Sequence, residues 1–187
     1  MPADSVRRAL YVLFGRLLAG PPDASLYRRL REGGLHTLAE AQRIDLTSDL
    51  LDEADAEACA SELGAEFGRF ADVVSLRASD YAAEGEDPVA AISGFLKKQH
   101  LRASTDLPCD HLAVALGIMG ELAGEAEAGG DAATRRRAAD FFRRHLAPWA
   151  QQALADLAAK AERRYYRGVA LMISAFLESE RRQYEAA

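Results

Sequence analysis

The chain predicts an all-α fold: a single helical domain of about eight to ten helices in two loosely defined lobes, its C-terminal part a helical bundle. Two observations carry this. Apolar residues recur at helical spacing in every long segment, and no run alternates apolar with polar as a half-buried strand would. Glycine, proline and acidic residues also fall where helices should stop and start. With 187 residues, 49% of them apolar and 28% charged, the chain is long enough to bury a sizeable core. The N-terminal lobe is expected over about 1–102, a linker over 103–107, and the C-terminal lobe over 108–187.

In order, Val6, Leu10, Leu13 and Leu17 place a first helix from Asp4 to Ala19, and Gly20-Pro21-Pro22 stops it. A shorter helix follows from Asp23 to Arg31, ended by Gly33-Gly34. Leu35 to Leu51 is less regular and reads as one short helix at most. Asp52-Glu53-Ala54-Asp55 then opens a helix with Cys59, Leu63, Phe67, Phe70 and Val74 on one face. The polar stretch from Ser79 to Asp87 breaks the pattern. Asp87 is a cap and Pro88 a first-turn residue for a helix that presents Val89, Ile92, Phe95 and Leu96 and ends near His100. Asp131 caps a helix through Phe141, Phe142 and Leu146, with a kink or restart at Pro148. In the last helix Tyr165, Val169, Met172 and Phe176 form one apolar row. Tyr166, Ala170, Ile173 and Leu177 form a second, so that helix should be largely buried.

Charge and composition exclude several classes. A net charge of −6 disfavours a nucleic-acid binder. No apolar run suits stable membrane insertion, and Met1 to Ser5 lacks the plan of a signal peptide, so a cytoplasmic location is expected. Cys59 and Cys109 show no metal or disulfide spacing and read as small buried or half-buried thiols. There is no nucleophile elbow, phosphate loop or dinucleotide fingerprint, so an enzyme is the least favoured reading. None of His36, His100, His111 and His145 has a metal-ligand partner at helical spacing. No metal or other cofactor is expected. Glu62 and Glu66 imitate a carboxylate metal face, but a solvated helix face is the favoured reading. Arg135-Arg136-Arg137 and Arg143-Arg144 read the same way. His145 is expected near a helix end, and Trp149 to close a core.

One stretch stands out: Asp106-Leu107-Pro108-Cys109-Asp110-His111-Leu112, before the apolar segment Leu112 to Ala123. Pro108 is placed just inside a helix start and Asp110 in its first turn, where a carboxylate meets the positive end of the dipole. Both Asp110 and His111 should then be at least partly exposed, beside a groove shared with the 79–87 stretch or the linker.

A Pro-x-Asp-His element in a small helical chain resembles the signature of the TorD/DmsD/NarJ-type redox-enzyme maturation chaperone family. Two further stretches agree, in the expected order. The first helix with Gly20-Pro21-Pro22-Asp23 resembles the family's opening. Phe141-Phe142-Arg143-Arg144-His145-Leu146-Ala147-Pro148-Trp149 with Tyr165-Tyr166 is similar to its C-terminal pattern. There are departures: Leu107 stands where members handling dimethyl sulfoxide or trimethylamine oxide reductases often carry glutamate. The Gly-Pro-rich loop is echoed only by Asp80-Tyr81, Gly85, Pro88 and Ser93.

The resemblance implies a cytoplasmic chaperone for a molybdenum-cofactor oxidoreductase. It would bind the apo catalytic subunit and its N-terminal leader peptide, often a twin-arginine signal, and assist cofactor insertion. Pro108, Asp110, His111, Asp80 and Tyr81 are the expected peptide-binding residues, as a monomer or homodimer. An acidic-flanked apolar groove suits a leader with a basic head and an apolar stretch. Two alternatives remain open: a small-molecule-binding helical regulatory domain, and a plain helical adaptor protein.

Overall fold

The computed structural model describes residues 4–32, 56–102, 105–129 and 131–185. They form an all-α structure. Helix α1 spans Asp4–Ala19, α2 Ala24–Glu32, α3 Ala56–Ala71, α4 Pro88–Gln99 and α5 Leu112–Glu127. Then follow α6 (Ala132–Phe141), a π-helical turn (Phe142–Leu146), α7 (Ala147–Lys160) and α8 (Arg164–Glu185). The expected short helix between Leu35 and Leu51, and the Gly33-Gly34 stop, lie outside the described residues.

The caps follow local chemistry. The Asp23 carboxylate accepts from the Leu26 N–H at 2.7 Å, Asp87 from Ala90 at 2.9 Å and Asp131 from Thr134 at 3.0 Å. Helix α4 ends in a Schellman turn: the Leu101 N–H bonds Leu96 O at 3.0 Å, and His100 takes the left-handed position with φ 56°. At Pro148, where a kink or restart is expected, the helix does not restart but carries a π turn. Residues 132–160 are one helical run. Ala147 N–H reaches back to Phe142 O, and this π turn just before Pro148 absorbs the lost proline donor without ending the helix. The run counts as one rod, so the described residues hold fewer long helical rods than the eight to ten expected.

The chain divides into two compact units. The first comprises Met1–Ala19, Leu76–Gln151 and Ser179–Ala187, the second Gly20–Ser75 and Gln152–Glu178. Of the expected linker over 103–107, residues 103–104 lie outside the described residues.

The first unit is built around α5. Leu112, Val114, Leu116, Ile118, Met119 and Leu122 are all buried, so this helix is apolar nearly all round, as an internal helix must be. Helix α1 packs along it at close range. A Cβ on Gly15 would sit 3.0 Å from Ala113 O, and one on Gly120 3.1 Å from the Val12 side chain. Larger residues there would push the two backbones apart. At the C-terminal end of the chain, Glu180 is only 3% exposed, yet it is fully engaged. Arg7 Nε donates to both its oxygens at 2.8 Å, and the Tyr11 hydroxyl donates to Oε2 at 2.7 Å. The Arg7 guanidinium lies 4.9 Å from the Tyr184 ring centroid, and Arg143 donates to the Tyr184 carbonyl. Burial pushes the Tyr184 phenol up to about 12 and raises Tyr11 well above its usual value, so both stay neutral donors.

In the second unit, Leu26, Tyr27 and Leu30 of α2 and Cys59 and Leu63 of α3 are buried. Both apolar rows of α8, Tyr165 to Phe176 and Tyr166 to Leu177, are buried too. The Tyr166 hydroxyl donates to Leu63 O at 2.9 Å. Here a sequence expectation is corrected. Glu62 is exposed and pairs with Arg163 at 2.6 Å, but Glu66 is buried, not on a solvated face. Its Oε1 accepts from the Arg163 N–H at 2.9 Å, satisfying a donor at the start of α8 from another helix.

Candidate functional site

Asp110 is a buried carboxylate of the first unit. Its side chain is 0% exposed. Oδ2 accepts from the Ser79 hydroxyl at 2.7 Å and from the Ser79 N–H at 3.2 Å, and Oδ1 from Arg77 Nε at 3.2 Å. The backbones are paired as well. Ala78 N–H donates to Asp110 O at 2.9 Å, Leu112 N–H donates to Leu76 O at 2.7 Å, and Arg77 and His111 form an antiparallel bridge. Burial alone would push this carboxyl up, but the two Ser79 bonds and the Arg77 guanidinium together hold it below the usual carboxylate range. Asp110 is therefore a clamp that fixes the 76–80 stretch against the start of α5.

This corrects the expected helix start. Pro108, Cys109 and Asp110 precede α5 in a turn closed by His111 N–H to Pro108 O at 2.9 Å. The bridge to Arg77 holds His111 extended, so the helix begins at Leu112. Exposure is corrected for Asp110 as well. Pro108 is exposed and His111 half-buried.

His111 is the N-cap of α5, its Nδ1 accepting from the Ala113 N–H at 3.1 Å. The cap needs a lone pair on Nδ1, hence a neutral ring. Burial pulls His111 below the ordinary histidine value, with Arg77 adding to the shift and Asp110 opposing it. His145 is lowered too, by burial and then Arg144. A lowered folded value means that the unfolded chain binds more protons. The contribution is complete above pH 6.5 and is lost as pH falls through the folded values. Urea denaturation should show stability declining from pH 7 towards pH 5. His111→Asn keeps a capping acceptor and should flatten part of that decline. An unchanged pH profile would remove the cap from the explanation.

The clamp places Asp80 exposed and Tyr81 half-buried next to a cleft of about 320 Å³. Ala78, Ala82, Ile92, Pro148 and Trp149 give it apolar walls, Glu86 and Asp87 an acidic side, and Arg144 and His145 a basic one. Trp149 is 5% exposed, its indole N–H donating to His145 O at 2.7 Å, and it stacks with Tyr81 at 6.2 Å between centroids and 22° between planes. The His145 ring packs 5.3 Å from Phe141 and 5.8 Å from Phe95, inside a continuous helix and not at a helix end. The structure brings Tyr81 to Trp149, while none of Asp80, Tyr81, Pro108, Asp110 and His111 is itself among the residues lining the cleft. Sequence reasoning missed Arg77 and Ser79 as partners of Asp110, for their pairing spans more than thirty residues. It also read the arginine runs too simply. Arg135 and Arg136 are exposed, but Arg137 binds Glu125 at 3.0 Å and Gln99 at 3.2 Å.

Among the described residues no group of His, Cys, Asp and Glu is arranged to hold a metal ion, and no helix is long and apolar enough to cross a membrane. No curated relative matches the chain. The family model described as nitrate reductase delta subunit matches residues 29–155, which takes in the clamp, the cleft and the Phe141 to Trp149 stretch. With a match over that share of its length, the chain belongs to the nitrate reductase delta subunit family, the NarJ-type branch of the TorD-like redox-enzyme maturation chaperones.

Proposed function

We propose that the chain is a cytoplasmic maturation chaperone that holds the apo catalytic subunit of a nitrate reductase by its N-terminal leader while the molybdenum cofactor is inserted. The cleft at Trp149 carries the reading. It joins apolar walls to an acidic loop in which Asp80, Glu84, Glu86 and Asp87 are all exposed. A leader with a basic head and an apolar stretch matches both features: apolar side chains enter beside Trp149 and the head meets the carboxylates. Asp80 and Tyr81 make contact in this scheme. Pro108, Asp110 and His111 act through the turn they hold in place. No step is catalytic, since the chaperone's work is to bind and to exclude water from the leader.

Titration of the full chain with a synthetic leader peptide of the catalytic subunit tests this. Asp80→Lys with Glu86→Lys reverses two exposed charges and should weaken binding about tenfold, with a shallower salt dependence. Ala91→Trp, at an exposed lining position, should block the cleft. If the leader fails to bind, or binds all variants equally, the assignment is wrong.

A further inference from the structure

The Trp149 cleft carries charge of both signs, and the two signs stand at different levels along it. Helix α4 and the helical run 132–160 flank the cleft in opposite directions. Arg137 Nη1 donates to Gln99 at 3.2 Å, Phe141 and His145 pack on Phe95 at 4.8 and 5.8 Å, and Trp149 lines the cleft together with Asp87 and Pro88. The acidic side is therefore at the start of α4. There the Glu86 carboxylate accepts from the Ala83 N–H at 3.2 Å and Asp87 from the Ala90 N–H at 2.9 Å, so the loop holds both in place. His145 packs against Phe95, eight residues beyond Asp87, which is about 12 Å along a helix. On the other wall His145 is one turn, about 6 Å, from Trp149. Acidic and basic sides are thus one to two helical turns apart.

Arg144, beside His145, lines the cleft without a structural task. It is exposed, and among the described residues no hydrogen bond or ion pair engages it. Its neighbour Arg143 is tied to the Tyr184 carbonyl instead. A leader's basic head would be repelled at Arg144, whereas a carboxylate would be drawn to it. A free anion gains little there, since Glu86 and Asp87 line the same cleft. A helical leader laid on the apolar walls can meet both sides only with side chains one to two turns apart. We infer that Arg144 is a specificity-determining residue, which reads an acidic side chain about four to seven residues after the leader's basic head and so fixes the direction in which the leader lies. This rests on the cleft being the leader site. The leader's own dipole agrees with that direction, its positive end at Glu86 and Asp87 and its negative end at Arg144.

The probes are synthetic leader peptides freed of carboxylate side chains, then given one glutamate at successive positions after the last basic residue. They are titrated calorimetrically into the full chain, wild type and Arg144→Gln. The expected result is a gain in affinity of about fivefold, confined to positions about four to seven residues after the head and absent in Arg144→Gln. Arg144→Glu should turn that gain into a loss, and lysine at the same peptide position should restore binding. Such a reciprocal exchange is a pairwise coupling that a misfolded variant cannot produce. The proposal falls if the glutamate has no effect or the same effect at every position, or if its gain survives in Arg144→Gln. The leader site itself still stands in those cases, provided that the carboxylate-free leader binds and Asp80→Lys with Glu86→Lys weakens it. If no peptide binds, both readings fall.

Discussion

Asp110→Ala should cost the chain about 2–4 kcal/mol, the loss expected when a buried carboxylate with several hydrogen bonds is removed. The melting temperature should fall by about 5–15 °C for a chain of this size. The Ser79 N–H and hydroxyl lose their acceptor, and a small cavity opens beside Leu112 and Ala78. Arg77 is 44% exposed and turns to water, which keeps the loss below that of a fully buried pair. Arg77→Ala should accordingly cost far less than Asp110→Ala, and Asp110→Asn should fall between them. Linkage adds a pH signature. The depressed carboxyl contributes stability above the usual carboxylate range and loses it as pH falls through its folded value. This replaces the expectation that Asp110 is at least partly exposed. Leader binding should weaken as well, because the 76–81 turn loosens. Equal stability of wild type and Asp110→Ala would show that the clamp contributes nothing.

The largest loss is expected at Glu180. Glu180→Ala leaves the Arg7 guanidinium, 13% exposed, without its carboxylate and the buried Tyr11 hydroxyl without its acceptor. Breaking such a group by removing one member costs about 3–5 kcal/mol. Replacing all three members, with Arg7→Met, Tyr11→Phe and Glu180→Leu, should recover most of that, since the cost lies in the stranded polar groups and not in lost attraction alone. Guanidinium denaturation of the single and triple variants separates the cases. A triple variant no better than Glu180→Ala would mean that the network itself holds α1 to the chain's end.

Local chemistry was readable wherever it acts over a few residues. Asp87 and Asp131 were identifiable as caps because a carboxylate three residues before a free N–H is a short-range geometry. The twin rows of α8 were identifiable because burial on two faces needs two apolar rows at helical period. Glu66 was not. Its glutamate sits one turn from an exposed Glu62, and the spacing alone assigns both to the same wet face. What buries it is the start of α8, nearly a hundred residues later, which needs an acceptor.

The candidate site divides along the same line. The residues of the Pro108 to Leu112 motif and of the Phe141 to Trp149 stretch marked the family from the sequence alone, since a family signature is a matter of residue types in order. The sequence also determined the helical class, the caps and the apolar faces, all set by periods of three to four residues. Only the tertiary structure decided what the motif does. It paired 110–112 with 76–78, moved the helix start to Leu112, buried Asp110 as a clamp and stacked Tyr81 on Trp149. These depend on which distant backbone donor or ring arrives to satisfy a group removed from water. Residue spacing along the chain carries no record of that meeting.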